Sequence, residues 1–191
     1  MKKLFLLVLS LFFLQCATNK VTELYKVYNP KDYLYWSEDT PLTWDDFQGE
    51  PIGSPEKYGS EIHIYNPATI EKSNLFSPAK LTTICIFDKK HSWVNRSSVN
   101  DTLLLYNQVI FNIYELYTRK LRQKFSETDF GINDFTEKFH SMSEKNNSEL
   151  SEEVDTFRKQ CDMGQFAPAV LKWSERIISE IHKLDEFKGN K

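Results

Sequence analysis

Candidate chemistry in this chain centres on the stretch Leu103–Gln123, where two amide side chains, Asn107 and Gln108, interrupt a mostly apolar run. Amides donate and accept hydrogen bonds, but an amide cannot serve as the general base that takes a proton from water. Two interpretations follow. The amides hydrogen-bond neighbouring backbone as ordinary buried polar groups, or they line a cleft.

The histidines offer one further possibility for metal chemistry. No two of them stand four residues apart, the spacing that places two imidazoles on one face of a helix; they are His63, His91, His140 and His182. Single satisfied or surface histidines are therefore the prediction. A metal site rebuilt from His63, His91 and a carboxylate stays open as an alternative.

The cysteines give no catalytic or structural metal motif. Cys85 lies in an apolar, strand-like run, and Cys161 precedes Asp162, whose charge is expected to raise the pKa of a thiol. Neither C-x-x-C nor a Cys/His spacing typical of zinc sites occurs. We expect Cys85 and Cys161 to be buried free thiols, with a disulfide between them as the alternative in an exported protein.

The first 16 residues have the pattern of an export signal. Lys2 and Lys3 precede the apolar run Leu4–Leu14, which is shorter than the roughly 20 residues that a membrane-spanning helix needs. The run ends just before Cys16, and the segment resembles a bacterial lipoprotein signal, in which such a cysteine becomes the lipidated first residue. An ordinary secretory signal or an uncleaved anchor are the alternatives. Ala17 after the cysteine favours the outer over the inner membrane.

Length and charge limit the organisation and the partners. The 191 residues are enough for one domain with a hydrophobic core, and a net charge of −3 gives no basic footprint for nucleic acid. We predict a signal peptide over residues 1–16, a tether and lead-in over 17–39, and a single domain over 40–187.

Strand signals lie early in the domain and helix signals lie late. Residues Tyr58–Tyr65 alternate in polarity, and Lys80–Phe87 is apolar and β-branched, so both predict strands. A helix is predicted from about Asp101 to Phe125, capped by Asn100, because apolar residues recur every three or four positions.

A last helix is predicted from near Pro168, a residue that suits a first helical turn. Residues 126–155 are polar and acidic and predict a solvated excursion with one short helical segment at 135–142. The expected fold is therefore α+β, with a small antiparallel sheet in the N-terminal half packed on two long helices.

Four landmarks occur in a recognisable order. They are "LTWDDFQG" from Leu42, "SWV" from Ser92, the 103–123 helix, and "MGQFAPAVLKW" from Met163. Together they resemble a bacterial family of unknown function predicted to be secreted zinc-dependent proteases, whose helix reads roughly H-E-Q-G-H-F-D and whose later segment reads T-x-H-G. The resemblance implies a metalloprotease-like scaffold over residues 40–185.

The positions that the resemblance assigns to zinc chemistry carry other residues in this chain. Tyr106 and Ile110 stand where the two helical histidines would be, Asn107 stands at the general-base position, and Met163 stands at the later histidine. A hydrocarbon has no lone pair, a thioether is poorly matched to zinc, and a phenol ionises only near pH 10. We therefore predict no catalytic residues, no metal and no cofactor.

Other residues near these positions are candidates for lining a surviving cleft. They are Gln108, Glu115, Trp93 and Trp173. Each also has a structural interpretation, because large aromatics build cores and Glu115 is spaced to pair with Arg119 one turn later.

The predicted function is that of a non-catalytic lipoprotein of the bacterial envelope, anchored through Cys16 and binding a protein or envelope component. Two alternatives remain. One is an active hydrolase that uses relocated ligands or another nucleophile, and the other is a purely structural envelope protein.

Lipidation makes a direct prediction. Replacing Cys16 by Ala removes the thioether attachment point, so the variant should leave the membrane fraction and lose incorporation of radiolabelled fatty acid. The matched control is Cys85→Ala, which should stay membrane-bound. A Cys16→Ala protein that still sediments with membranes would show that another feature anchors the chain.

Overall fold

The computed structural model describes residues 27–51, 59–71, 77–78, 80–131 and 134–189. The predicted signal peptide and most of the predicted tether lie outside these residues. The described residues form three α-helices, α1 (Asp101–Ser126), α2 (Phe135–Gln160) and α3 (Ala167–His182). They also form seven short strands: β1 (Tyr33–Tyr35), β2 (Ser60–Glu61), β3 (Ile64–Tyr65), β4 (Ala68–Glu71), β5 (Lys80–Thr83), β6 (Ile86–Asp88) and β7 (Trp93–Val94).

The strands form three small antiparallel sheets in the described residues. One has the order β1-β6-β3, and the other two are the pairs β2-β7 and β4-β5. The α+β class is confirmed, but the prediction of one sheet is wrong. Each predicted strand divides in two because its halves pair with different strands. The first predicted strand becomes β2, which pairs with β7, and β3, which pairs with β6. The second becomes β5, which pairs with β4, and β6, which pairs with both β1 and β3.

Helix α1 forms as predicted and runs through the centre of the fold. Asn100 caps it, since the Asn100 side chain accepts a hydrogen bond from the Leu103 amide at 2.9 Å. The predicted apolar stripe is buried throughout, at Leu103, Tyr106, Ile110, Ile113, Tyr117 and Leu121. Several polar side chains on other faces of α1 are buried too, so the helix is enclosed on most of its circumference.

The segment predicted as a solvated excursion is the long helix α2, and that prediction is wrong. Its buried stripe is narrow and consists of Phe139, Asn146, Leu150, Val154 and Phe157. A polar Asn within the stripe and acidic residues on the remaining faces hide its helical period. Asn146 is accommodated because its amide donates to the Tyr117 carbonyl of α1 at 3.1 Å.

Helix α3 begins at the predicted place, with Pro168 in its first turn, and buries Val170, Trp173, Ile177 and Ile181. It packs on α1, as does α2, so α1 is the common partner of the other two helices. None of the helices among the described residues combines the length and the apolar character that crossing a membrane requires.

The residues before the predicted domain start are part of the fold. Strand β1 belongs to the three-stranded sheet, and the Trp36 ring is buried with its indole N–H bonded to Asn112 at 2.9 Å. Further along, Gly49 lies so close to the turn at Lys90–Ser92 that a Cβ would come within 2.8 Å of the Lys90 carbonyl oxygen. Only glycine fits at that position.

A buried ion cluster ties α1 to the C-terminal end of the chain. Arg119 donates to Glu115 at 2.9 Å, as its spacing predicts, and also to the Ile181 carbonyl at 3.0 Å and to Asp185 at 2.7 Å. Arg119 and Glu115 are almost fully buried. Burial raises the pKa of Glu115, and the neighbouring Arg119 and Arg122 guanidinium groups oppose that rise.

Removing one partner of this cluster should destabilise the fold strongly. Arg119→Leu leaves the buried Glu115 carboxylate with only the more distant Arg122 guanidinium, 3.7 Å away, which should lower the free energy of unfolding by about 3–5 kcal/mol in urea denaturation. The double variant Arg119→Leu/Glu115→Leu should recover part of that loss. Lys138→Leu, which breaks the exposed pair with Asp134, is the control and should change the midpoint little. Equal effects of Arg119→Leu and Lys138→Leu would contradict this role.

Candidate functional site

A cavity of about 710 Å³ lies between the first half of α1, strand β2 and the turn that joins α2 to α3. All four residues at the positions assigned to zinc chemistry line it: Tyr106, Asn107, Ile110 and Met163. They come from two segments more than 50 residues apart in sequence. The fold therefore brings this set together at one concave surface, of a volume usual for ligand sites.

Asn107 joins the wall of the cavity to strand β2. Its side chain is 1% exposed and exchanges hydrogen bonds with the Ser60 hydroxyl, which lies 2.9 Å from Nδ2 and 3.1 Å from Oδ1. The pair holds β2 against α1. An Asn–Ser pair has no basic group, so Ser60 is not activated as a nucleophile.

Tyr106 forms the floor of the cavity. Its ring stacks on Phe157 of α2 with centroids 5.0 Å apart, and its hydroxyl lies 3.9 Å from the Met163 sulfur. Burial raises the pKa of Tyr106, while the nearby Arg158 guanidinium opposes that rise. The phenol therefore stays protonated at neutral pH, and a neutral phenol is a weak metal ligand.

The turn that carries Met163 has an unusual backbone. Asp162, Met163 and Gly164 have φ values of 47°, 52° and 93°, so two residues that are not glycine adopt the left-handed conformation in succession. Such residues cost of order 1–3 kcal/mol each and persist where surrounding contacts impose them. Here the turn places the Met163 thioether, 48% exposed, at the cavity beside Tyr106.

Among the described residues, the cavity wall carries one acidic and one basic group. Glu61 is occupied, because one oxygen accepts the Trp93 indole N–H at 3.1 Å and the other lies 3.6 Å from His63. Arg158 of α2 has a carboxylate only at the limit of an ion pair, with Asp155 4.0 Å away. The cation of the cavity is therefore the less satisfied of the two charges.

Two of the predicted cleft-lining residues lie elsewhere on α1. Gln108 accepts from the Leu42 amide at 2.7 Å and donates to Asn112 at 2.8 Å, which joins the N-terminal segment to the helix. Glu115 belongs to the buried ion cluster with Arg119. Both side chains have the structural role that was their alternative interpretation.

The two predicted tryptophans also lie outside the cavity wall. Trp93 is buried in β7 and reaches the site only through its bond to Glu61. Trp173 packs against Phe157, donates to Gln160 at 2.9 Å, and lines a separate groove between α2 and α3.

The structure brings together the two histidines of the alternative metal site. The rings of His63 and His91 have centroids 6.1 Å apart, and His91 bonds the buried Asp88 carboxylate at 2.8 Å. Across the described residues, however, no group of three or more His, Cys, Asp or Glu side chains is arranged to hold a metal ion. The other two histidines are far from this pair in sequence, and His182 bonds Glu38 at 2.9 Å.

Zinc does not fit the residues that occupy the assigned positions. The wall offers Ile110, which has no lone pair, the neutral phenol of Tyr106, and the soft thioether of Met163, whereas zinc in proteins takes imidazole, thiolate and carboxylate ligands. No step of a zinc mechanism can be assigned to this set.

Cys85 and Cys161 are free and buried, as predicted. Burial raises the pKa of Cys161 to about 11 and that of Cys85 well above its ordinary value. The predicted rise for Cys161 was attributed to Asp162, but the cause is loss of solvent. Both groups are thiols at neutral pH and poor nucleophiles.

Sequence reasoning did not single out most of the other residues that line the site, among them Ser60, Glu61 and Arg158. Ser60 and Glu61 are in the predicted strand, where alternation marks only which face a side chain takes. Arg158 was missed because its segment was interpreted as solvated, and a helical period over 139–157 would have placed it one turn beyond Val154.

Comparison with known proteins returned nothing: no family model, no curated protein and no solved structure matches this chain.

The left-handed turn makes a prediction about stability. In Gly164→Ala, a Cβ would lie 3.0 Å from the Tyr106 ring at a φ of 93°, so the free energy of unfolding should fall by about 1–3 kcal/mol. Gly59→Ala is the matched control at the same cavity, because its Cβ would press only on the flexible end of Leu103, at 3.0 Å, and would lie at ordinary contact distance, 3.5 Å, from Ser98 Cβ. Denaturation midpoints that fall equally in both variants would show that the turn is not strained.

Proposed function

We propose that this protein is a non-catalytic binding lipoprotein of the bacterial envelope, whose cavity holds a ligand where related scaffolds would hold zinc. The observation that carries the proposal is the convergence of Tyr106, Asn107, Ile110 and Met163 on one cavity wall. Residues that had drifted without function would not need to share a well-formed concave surface.

The chemistry of the cavity supports binding over catalysis. The wall combines apolar surface from Leu103 and Ile110 with a comparable amount of polar surface, so it can contact both kinds of group on a ligand. The group at the general-base position is an amide, and a positioned base typically contributes about 10²–10⁴-fold in rate. Ligand binding requires neither the general base nor the zinc ligands that these positions lack.

The anchor completes the proposed arrangement. A lipid on Cys16, followed by the residues up to β1, would hold the domain near a membrane while leaving the cavity open to the periplasmic or outer surface. Acyl chains anchor because each buried methylene contributes about 0.8 kcal/mol. A lipid-tethered domain of this kind suits capture of a ligand presented within the envelope.

One observation favours a second candidate, an active hydrolase with relocated ligands. His63 and His91 are neighbours, and Glu61, which lies 3.6 Å from His63, also lines the cavity. These three side chains are not arranged to hold a metal ion as they stand, so this candidate requires them to rearrange. Metal content distinguishes the two candidates.

The proposed function predicts the behaviour of the purified full-length protein in detergent. It should hold no stoichiometric zinc by elemental analysis after incubation with zinc and gel filtration, and it should not cleave casein. Stoichiometric zinc that a chelator removes together with casein cleavage would overturn the non-catalytic proposal. Loss of that zinc in His63→Ala/His91→Ala would then assign the relocated site.

Restoring the lost ligands tests the geometry of the four positions. The variant Tyr106→His/Asn107→Glu/Ile110→His/Met163→His places two imidazoles on one helical face and a third on the turn, so it should bind zinc stoichiometrically. The control lacks only Met163→His and should bind zinc far more weakly. Circular dichroism verifies that both fold. Equal zinc affinity in the two variants would show that Met163 is not placed as a third ligand.

A further inference from the structure

Strand β2 lines the cavity, and one of its edges has no partner strand among the residues that the structure describes. Four consecutive residues, Gly59–Ile62, line it, and in the described part of the chain β2 pairs with β7 alone. An exposed strand edge with free backbone N–H and C=O groups is a template for a further strand. The cavity therefore has a feature that recognises a main chain rather than a particular side chain.

The backbone bonds show which groups face that edge. The Gly59 carbonyl accepts from Asn95 at 2.8 Å, and the amide and carbonyl of His63 bond the segment Asp88–Ser92. Alternate residues of a strand direct their backbone groups to opposite sides. Because Gly59 and His63 are directed towards β7 and β6, Ser60 and Ile62 direct theirs towards the free edge.

Arg158 adds a recognition group of a different kind to the same cavity. Its guanidinium lies at the Tyr106 hydroxyl, and its carboxylate partner Asp155 is at 4.0 Å. A guanidinium fork matches a carboxylate with two parallel hydrogen bonds, and the neutral phenol beside it can donate a third. The opposite charge in the cavity, Glu61, is already bonded to Trp93.

One part of the remaining lining is apolar, where Leu103, Ile110 and the Met163 thioether share the wall with Tyr106. The other part is polar and consists of Ser98, Asn100, Thr102 and Gln165. A ligand with an extended main chain, a terminal anion and an apolar last side chain matches the strand edge, the cation and the apolar part.

We propose that the cavity binds the C-terminal end of an extended polypeptide. The peptide adds to the free edge of β2 through the backbone of Ser60 and Ile62, its terminal carboxylate binds Arg158, and its last side chain enters the apolar part of the cavity. This proposal rests on the proposed binding function and specifies its ligand. A fatty acid would use the Arg158 carboxylate site without needing the strand edge, and an internal peptide segment would use the edge without Arg158.

The test uses the full-length protein in detergent and a pool of fluorescein-labelled hexapeptides that end in Leu, Ile, Val or Phe. The same pool with C-terminal amides is the comparison. Fluorescence polarisation should show the free acids binding about tenfold tighter or more, as expected for a charge-assisted bidentate bond. Equal affinity for acid and amide, or no binding by either pool, would overturn the proposal.

Two variants assign the carboxylate contact. Arg158→Gln should reduce the affinity for acids to that for amides, whereas Lys159→Gln removes the same charge from the next residue of α2, outside the cavity, and should leave the acid preference intact. Persistence of the preference in Arg158→Gln would overturn the assignment of the carboxylate to that residue. Displacement of the peptides by palmitate, with no acid preference among them, would identify a fatty-acid site instead.

The strand contact is tested on the peptide, which leaves the protein unchanged. Methylation of one backbone nitrogen at a time should weaken binding by about tenfold at alternate positions and little at those between, because only every second amide faces β2. Uniform effects along the peptide would overturn strand addition. These outcomes are independent of the zinc and casein measurements, so failure here and failure of the non-catalytic proposal are distinguishable.

Discussion

The fold depends on satisfying the polar side chains of a helix that is buried on most of its faces. Helix α1 carries an apolar stripe and four further side chains that are polar and also buried: Asn107, Asn112, Glu115 and Arg119. Three of these groups are bonded to other parts of the chain: Asn107 to β2, Asn112 to Trp36, and Arg119 to the C-terminal turn. Glu115 bonds Arg119 on the same helix. A buried polar group without a partner costs about 1–3 kcal/mol, so these bonds fix where the surrounding segments lie. The position of α1 therefore also sets the position of the cavity wall.

The parts of the fold with strong local signals were predictable from sequence. Asn100 marks the start of α1, Pro168 marks α3, and the apolar stripe of α1 is buried as its spacing requires. The full length of helix α2 was not predicted, because a helical period is visible in a sequence only when the buried stripe is broad. In α2 the stripe is one residue wide and includes the polar Asn146. The division of the predicted strands was not visible in the sequence, because the change of partner between β5 and β6 depends on tertiary contacts. Periodicity reports which residues are apolar, not which strand they meet.

The candidate site shows the same division. The four positions singled out by motif order do share one cavity, since two of them are one helical turn apart and the turn after α2 brings the fourth to them. Gln108 and Glu115, which were expected beside them, point to other partners because adjacent helical positions face different directions. Arg158 was outside reach of sequence reasoning once its helix had been missed. The position of Arg158 at the cavity follows from the tertiary fold, which packs α2 on α1.

The proposed function depends on the ligands that this site offers: a phenol, a hydrocarbon and a thioether stand at the positions that the family resemblance assigns to zinc chemistry. Anomalous diffraction at the zinc edge, from crystals of the unmodified protein soaked in zinc, tests that statement most directly. The account predicts no anomalous peak between Tyr106, Ile110 and Met163. A fully occupied peak at that place would contradict it.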